Sequence, residues 1–355
     1  MLFRSLIVPS RPRRAERFLL VIFLPVVIVC GCDHGSDRPD VSGVEVGQIH
    51  IERFDTAFFD LDTNNIKAGL FRLNERYPYF AQDFVGNILG AGPMSDTSHV
   101  AFAAAREFLV SYLRIRDSLW PKYRDLGWLE QELHGQLRYI KYYFPQYHLP
   151  PKYVAFIGPF DGPGVALTAY TLAIGLQSYA GKGFAFYLTG KGQDLYPQYI
   201  SRRFEPGYIT ANCMSAIAED IFPDSSDGRP LIEQMITKGR YWWLMSKLMP
   251  ETPDSIRMGY TAAQLDWCAG NEASVWNFFL QGPDLFTLDP DIIKNYIGEA
   301  PKTLGMPDGS PGNIGAWVGW QIVKKYVSDH SGLTPAEVMR VPSKVLFEQS
   351  KYKPR

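Results

Sequence analysis

The chain begins with an arginine-rich stretch followed by a short apolar segment. Five arginines precede the apolar run from Phe18 to Gly31. This run is shorter than the roughly 20 residues that a membrane-spanning helix needs, whereas its length and its basic flank are typical of a signal peptide. Residues 1–31 are therefore predicted to be a signal peptide, and the folded body must be built from the residues that follow.

The apolar segment ends in Val29-Cys30-Gly31-Cys32, which resembles the lipobox of bacterial lipoproteins. In those proteins the signal peptide is cleaved before the cysteine, which then carries acyl chains such as palmitate. The resemblance implies that Cys32 is lipidated and that the protein is anchored to a membrane of the cell envelope. The alternative is an ordinary signal peptide in which Cys32 is incidental.

The residues after Cys32 predict a short tether and then one globular domain. An Asp-His-Gly-Ser-Asp-Arg-Pro-Asp run follows at once and is polar enough to stay solvated. Hydrophobic residues make up 46% of the chain, which is enough for a sizeable core, and no repeat or linker divides the remainder. We assign residues 32–45 to a flexible tether and residues 46–355 to a single domain.

Charge balance and cysteine content exclude several classes of protein. Lys and Arg number 36 and Asp and Glu 37, so the chain lacks the basic excess that a nucleic-acid partner would require. The four cysteines include no C-x-x-C pair, which argues against a zinc ribbon. Cys213 and Cys268 are predicted to be buried free thiols, with a disulfide as the alternative in an oxidising compartment.

The spacing of apolar residues predicts an α+β fold that is mostly helical, with a small β-sheet in the middle of the chain. Strand-type runs are found at residues 48–54, 153–157 and 171–176, with 184–188 as a further candidate. Helical spacing is found at residues 64–76, 98–120, 126–143, 231–247, 261–280 and 316–328. Pro121 is expected to interrupt the second of these helices. Capping-box patterns mark helix starts at Thr261 and Thr334.

The chain carries none of the compact motifs that mark common catalytic or metal sites. Its six histidines include no pair four residues apart, so the H-E-x-x-H zinc arrangement is absent. Neither a G-x-S-x-G elbow nor a phosphate-binding P-loop occurs. We therefore expect no metal, no cofactor and no catalytic residues.

A polar group interrupts the apolar helix predicted at residues 261–280. Gln264, Asn271 and Glu272 lie among aromatic and aliphatic side chains, so Glu272 could be a buried carboxylate. Such a carboxylate needs a partner charge or hydrogen bonds. The basic residues that could supply one are Lys238, Arg240, Lys247, Arg202 and Arg203. We favour a structural ion pair, with Lys238, Arg240, Gln264, Asn271 and Glu272 expected to form one buried polar cluster, and a functional acid as the alternative.

Three successive aromatic residues, Tyr241, Trp242 and Trp243, cannot all face inward on one helix. They are the candidate contact with a partner, whereas the alternative is a core helix that leaves one ring at the surface. A binding module for an envelope glycan or peptide could use the same three rings.

Six groups of residues are informative as an ordered set. They are Arg53-Phe54-Asp55 with Phe58-Phe59, Ile140-Lys141-Tyr142-Tyr143-Phe144-Pro145, Gly259-Tyr260-Thr261 with Gln264-Leu265 and Trp267, Asn271-Glu272 with Val275-Trp276, Trp317-x-Gly319-Trp320-Gln321-Ile322-Val323, and Ser350-Lys351-Tyr352-Lys353-Pro354. Together they resemble the gliding-motility lipoprotein GldB family of Bacteroidetes. The resemblance implies a membrane-anchored, non-catalytic accessory component of the gliding apparatus, which in this phylum is linked to type IX secretion. Its partners would be other gliding or secretion proteins.

The chain departs from that family pattern at positions that involve charge. Lys238 precedes Gly239 where an acidic residue is expected, and Gln177 also replaces an acidic residue. A fainter resemblance, to gluzincin-type metallopeptidases, rests on a helix carrying Glu219 and a second helix carrying Lys238-Gly239. No histidine precedes Glu219, and Lys238 occupies the place of the third zinc ligand, so this resemblance implies at most such a fold without its metal. The alternative function is a cell-envelope hydrolase that uses Glu272 or Glu219 as acid or base.

Overall fold

A computed structural model of the protein describes residues 38–94, 99–282 and 284–354. The predicted signal peptide and Cys32 lie outside these ranges. Residues from Asp40 onward group into one compact unit. No helix within the described ranges combines the length and the apolar character needed to cross a membrane.

Four short strands form a mixed sheet. They are β1 (Ile51–Arg53), β2 (Lys152–Phe156), β3 (Val165–Leu167) and β4 (Thr171–Gly175). The spatial order is β1-β2-β4-β3, in which β1, β2 and β4 run parallel and β3 pairs antiparallel with β4. The two central strands, β2 and β4, are buried along almost their whole length, which explains why both read as continuous apolar runs.

Strands β1 and β2 are parallel, so a crossover must connect them, and its described residues include five α-helices. These helices are α1 (Phe54–Phe59), α2 (Ile66–Arg76), α3 (Ala81–Asp83), α4 (Val100–Tyr123) and α5 (Gly127–Tyr143). Helix α1 packs against β2, and α4 packs against α1 and α2.

The regular structure described after β4 is helical. Its helices are α6 (Gly190–Leu195), α7 (Gln198–Ser201), α8 (Ile209–Ile221), α9 (Leu231–Leu248), α10 (Asp254–Met258), α11 (Ala262–Gly270), α12 (Glu272–Gln281), α13 (Pro290–Ile297), α14 (Ile314–Asp329), α15 (Pro335–Arg340) and α16 (Ser343–Ser350). Helix α9 lies at the centre, since it packs against α14, α16, α8 and α5. The prediction of a mainly helical α+β fold with a small sheet is confirmed.

Both predicted capping boxes form. At the start of α11, the Thr261 hydroxyl accepts a hydrogen bond from the Gln264 N–H at 3.1 Å, and the Gln264 amide oxygen accepts from the Thr261 N–H at 2.9 Å. Thr334 and Glu337 make the same reciprocal pair at the start of α15. Each pair satisfies two backbone donors that the first turn leaves open, so these helix starts are fixed locally.

Three local predictions are wrong. Residues 184–188 do not form a strand, because Ala185–Leu188 is a 3₁₀ helix whose Tyr187 is buried and donates its hydroxyl to the Gln177 carbonyl at 2.6 Å. The helix predicted at 261–280 is divided at Asn271, whose amide donates to the Trp267 carbonyl and satisfies the end of α11. Helix α4 continues through Pro121 to Tyr123, which is held by a hydrogen bond to the Tyr179 carbonyl.

Gln177, which replaces an expected acidic residue, is fully buried beside the loop that follows β2. Its amide oxygen accepts from the Gly158 N–H at 2.8 Å, and its amide nitrogen donates to the Pro163 carbonyl at 3.2 Å. An ionised carboxylate could accept the first bond but could not donate the second. The amide therefore fits this position, where it ties the loop to the sheet.

Helices α9 and α14 cross in direct backbone contact. A Cβ atom added to Gly319 would lie 1.8 Å from the Met235 carbonyl oxygen, and one added to Gly239 would lie 2.1 Å from the Gly319 carbonyl carbon. The space between the two helices is too narrow for any side chain at these positions. Glycine at 239 and 319 is therefore required by the helix crossing itself.

A partly buried ion pair lies where β1 ends and α1 begins. The Arg53 guanidinium donates from Nε to Asp55 Oδ1 at 2.8 Å and from Nη2 to Oδ2 at 2.6 Å. The Asp55 side chain is 5% exposed, and the guanidinium lies 5.5 Å from the centre of the Trp120 ring. The bidentate geometry raises the pKa of Arg53, against the opposing effect of its burial.

Candidate functional site

A cavity of about 600 Å³ lies between the end of α8, the middle of α9 and the turn that joins α15 to α16. We call it the α9 pocket. Four basic side chains line it, from Arg229, Arg240, Arg340 and Lys344, and the single carboxylate among its lining residues belongs to Glu233. Hydroxyl groups and a few apolar side chains complete the walls.

Arg240 connects two of the segments that form the α9 pocket. Its Nη1 donates to the carbonyl oxygens of Met339 and Val341 at 2.9 and 2.7 Å. Its Nη2 donates to the hydroxyls of Thr237 and Ser343 at 3.3 and 2.7 Å. The guanidinium thereby joins α9 to both sides of the α15–α16 turn.

Burial changes the pKa of two groups in the α9 pocket in opposite senses. It lowers the pKa of the Arg240 guanidinium, although Tyr241, Asp224 and Glu233 oppose this effect. It raises the pKa of the Tyr241 hydroxyl to about 12, with Asp224 and Glu219 adding to the effect. Tyr241 therefore stays neutral near pH 7, and it donates its hydroxyl hydrogen bond to the Phe222 carbonyl.

The three successive aromatic residues of α9 have different surroundings. Trp243 is 5% exposed and belongs to the core. Trp242 is half-buried and packs edge-on against Tyr260, with ring centres 5.2 Å apart. Tyr241 is half-buried and lines the α9 pocket. Contact of these rings with a partner stays a prediction, and Tyr241 is the residue of the three that faces a cavity.

The five residues expected to form one buried polar cluster have separate sets of partners. Arg240 bonds to the α15–α16 turn, while Lys238 lines a second cavity of about 440 Å³ beside α13. Gln264 belongs to the capping box and also accepts a 3.3 Å hydrogen bond from Arg202. Asn271 ends α11, as described above.

Glu272 has a hydroxyl as its partner. The Tyr352 hydroxyl donates to Glu272 Oε1 at 2.6 Å, which connects α12 to the C-terminal segment. Burial raises the pKa of Tyr352, and the hydrogen bond to Glu272 raises it further. The residue expected to form an ion pair thus takes part in a structural hydrogen bond, and sequence spacing gave no sign that Tyr352, 80 residues away, would be its partner.

Cys213 and Cys268 are both free and buried, which confirms the prediction of free thiols. Burial raises the pKa of each thiol to about 12. At pH 8 only about one part in ten thousand of either would be thiolate, the form that reacts.

A chain carrying Cys30→Ser and Cys32→Ser will therefore react very slowly with Ellman's reagent at pH 8 while it is folded. In 6 M guanidinium chloride the chain is unfolded, and both of its remaining thiols, two equivalents per chain, should react immediately. Rapid release of one or two equivalents from the folded chain would contradict the burial of these thiols.

The α9 pocket offers positive charge and hydrogen-bond donors to a ligand. Within residues 38–94, 99–282 and 284–354, no group of three or more His, Cys, Asp or Glu side chains is placed to hold a metal ion. Glu219, named as an alternative acid or base, is exposed and accepts a 3.3 Å hydrogen bond from Ser215 one turn earlier in α8. The sequence did not single out Arg229, Arg340 or Lys344, because more than 100 residues separate the first from the other two and they form no motif.

A family model described as gliding motility protein GldB matches residues 34–354. The match covers nearly the whole chain and begins just after Cys32. The name of that family model, GldB_lipo, indicates lipoproteins. Neither a curated protein nor a solved structure matches the chain.

Proposed function

This chain belongs to the GldB family of gliding motility proteins, and we propose that it is a membrane-anchored, non-catalytic accessory component of the gliding motility and type IX secretion apparatus. The observation that carries the proposal is the family match over residues 34–354. Acyl chains on Cys32 would anchor the protein, and the folded body would contact other proteins of the apparatus.

Two further observations support this proposal. The Val29-Cys30-Gly31-Cys32 sequence lies at the end of an apolar segment of signal-peptide length. The two carboxylates that a hydrolase would have used, Glu272 and Glu219, each accept a side-chain hydrogen bond from a neighbouring hydroxyl.

Replacement of Cys32 by alanine will release the protein from the membrane fraction, because the acyl chains supply the anchoring free energy at about 0.8 kcal/mol for each buried CH₂ group. The affinity-tagged full chain should be compared with the Cys32→Ala chain by membrane fractionation. Affinity purification from gently solubilised membranes should then recover gliding or secretion components with the first chain and none with the second.

The matched control is Cys30→Ala, which removes a neighbouring cysteine and leaves Gly31-Cys32 intact, and should behave as the unchanged chain does. If the Cys32→Ala chain were found at the membrane as much as the unchanged chain is, the proposed lipid anchor at Cys32 would be overturned. The non-catalytic role would be overturned by a folded Glu219→Gln chain that stays at the membrane, captures the same partners and fails to support gliding.

A further inference from the structure

We propose that the α9 pocket binds a ligand through a phosphate group. The inference rests on the geometry of this pocket and does not depend on the role proposed above. Four basic side chains and one carboxylate line the pocket, although the chain as a whole carries a formal charge of −1. Positive charge is therefore concentrated here against the overall balance of the protein, as expected of a site for an anion.

Arg240 supplies charge beneath the pocket. Both of its terminal nitrogens are used by the carbonyl and hydroxyl oxygens described above, and all four acceptors are neutral. Asp224 and Glu233 are near enough to favour its charged form, yet in the described chain neither forms an ion pair with it. The guanidinium thus has no ion-pair partner among the described residues, and it lies at a partly buried position where electrostatic attraction is stronger than in water.

The other three basic residues would make the direct contacts. Arg229 lies just before α9, Arg340 ends α15 and Lys344 is in the first turn of α16. All three are exposed at the rim of the pocket, and no ion pair with a described carboxylate occupies them. Because Arg229 precedes α9 while Arg340 and Lys344 flank the α15–α16 turn, an anion inside the pocket can be approached from two walls.

The start of α16 adds hydrogen-bond donors on the same wall. Ser343 and Lys344, the first two residues of this eight-residue helix, both line the pocket. The preceding Pro342 caps the helix without a side-chain hydrogen bond. The first N–H groups of the helix lack partners within the helix and carry its positive dipole end, so they add to the site that the arginines and the lysine already form.

Charge and size together favour a phosphate on a larger molecule. A carboxylate offers two oxygens and pairs well with a single arginine, whereas a phosphate has more acceptor oxygens and up to two charges for several cations. The volume of about 600 Å³ is typical of sites for small organic ligands. Phe222 and Met339 are among the apolar residues of the wall, which suits a ligand whose phosphate is attached to an organic group.

The test uses the mature lipidated protein in detergent, titrated with inorganic phosphate while chloride keeps the ionic strength constant. Phosphate should raise the thermal unfolding midpoint in a saturable way, because a ligand that binds the folded state stabilises it. A chain with Arg340→Gln and Lys344→Gln should bind phosphate about tenfold more weakly or worse, since it loses two charge-assisted contacts. Both side chains are exposed, so this chain should fold normally.

The matched control carries Arg72→Gln and Lys191→Gln, which make the same change in net charge at exposed positions outside the pocket. It should bind phosphate as the unchanged protein does. The proposal is overturned if phosphate has no saturable effect, or if the pocket variant and the control variant respond alike.

A second measurement distinguishes a lipid headgroup from a free phosphate compound. The Cys32→Ala chain is floated with phosphatidylcholine vesicles that contain or lack phosphatidylglycerol. Binding that needs phosphatidylglycerol and is lost with Arg340→Gln and Lys344→Gln identifies a lipid as the source of the phosphate. Saturable binding of inorganic phosphate without vesicle binding identifies a soluble phosphate compound as the ligand. Vesicle binding that survives the two substitutions does not involve the pocket and counts against the proposal.

Discussion

Gly319→Ala will destabilise the protein by about 3 kcal/mol or more, even though alanine is the better helix former by about 1 kcal/mol. The new methyl group would lie 1.8 Å from the Met235 carbonyl oxygen. Since the nearest atoms belong to the α9 backbone and not to a flexible side chain, α9 and α14 must separate along their crossing. Urea denaturation of the purified protein, followed by circular dichroism, measures the loss as a lower midpoint.

The control is the same substitution at a helix position that has room for it. Gly135 lies within α5, and a Cβ added there would meet no atom within 4 Å. Gly135→Ala should therefore stabilise the protein by about 0.5 to 1 kcal/mol. If Gly319→Ala matched this gain, the two backbones could not be in contact as described.

Asp55→Ala will lower the free energy of unfolding by about 2 kcal/mol, because it leaves the partly buried Arg53 guanidinium without its counter-charge and without two charge-assisted hydrogen bonds. The lost contacts are the two hydrogen bonds of 2.8 and 2.6 Å. Arg53 keeps its 3.1 Å bond to the Arg124 carbonyl, which is neutral and does not replace the lost counter-charge. The same denaturation experiment measures the effect.

Asp60→Ala is the control for this second prediction. The Asp60 side chain is 65% exposed, and its closest cation, Arg116, is 4.0 Å away, so the change should cost less than about 0.5 kcal/mol. A chain with Arg53→Met and Asp55→Leu should recover much of the lost stability, since it removes both charges of the pair. No recovery would assign the loss to packing and contradict the electrostatic explanation.

The features that sequence predicted best are those whose contacts are local. Each capping box is complete within four residues, so Thr261 and Gln264 identify a helix start without help from the rest of the chain. Strand β3 was missed because its three half-buried residues take their conformation from pairing with β4. Residues 184–188 showed the opposite error, since an aromatic run resembled a strand but has no neighbouring strand to pair with among the described residues.

The candidate site was the hardest part to predict because it depends on distant segments. Arg240 was named for a carboxylate partner that it does not have, since its acceptors lie on a turn about 100 residues later. Glu272 was expected to need a charge, and instead it uses the hydroxyl of Tyr352. Residue type and spacing can show that a polar side chain needs a partner, but the fold decides which one it obtains.

The backbone contact between α9 and α14 also bears on how sequence variation in this family should be interpreted. Gly239 lies in α9, and Gly319 lies in α14, in one of the segments on which the family resemblance rests. Both glycines are explained by the distance between two helix axes. If relatives keep glycine at these two positions, the helix crossing is sufficient to explain it. The two glycines would then persist even in members that share no chemistry at all.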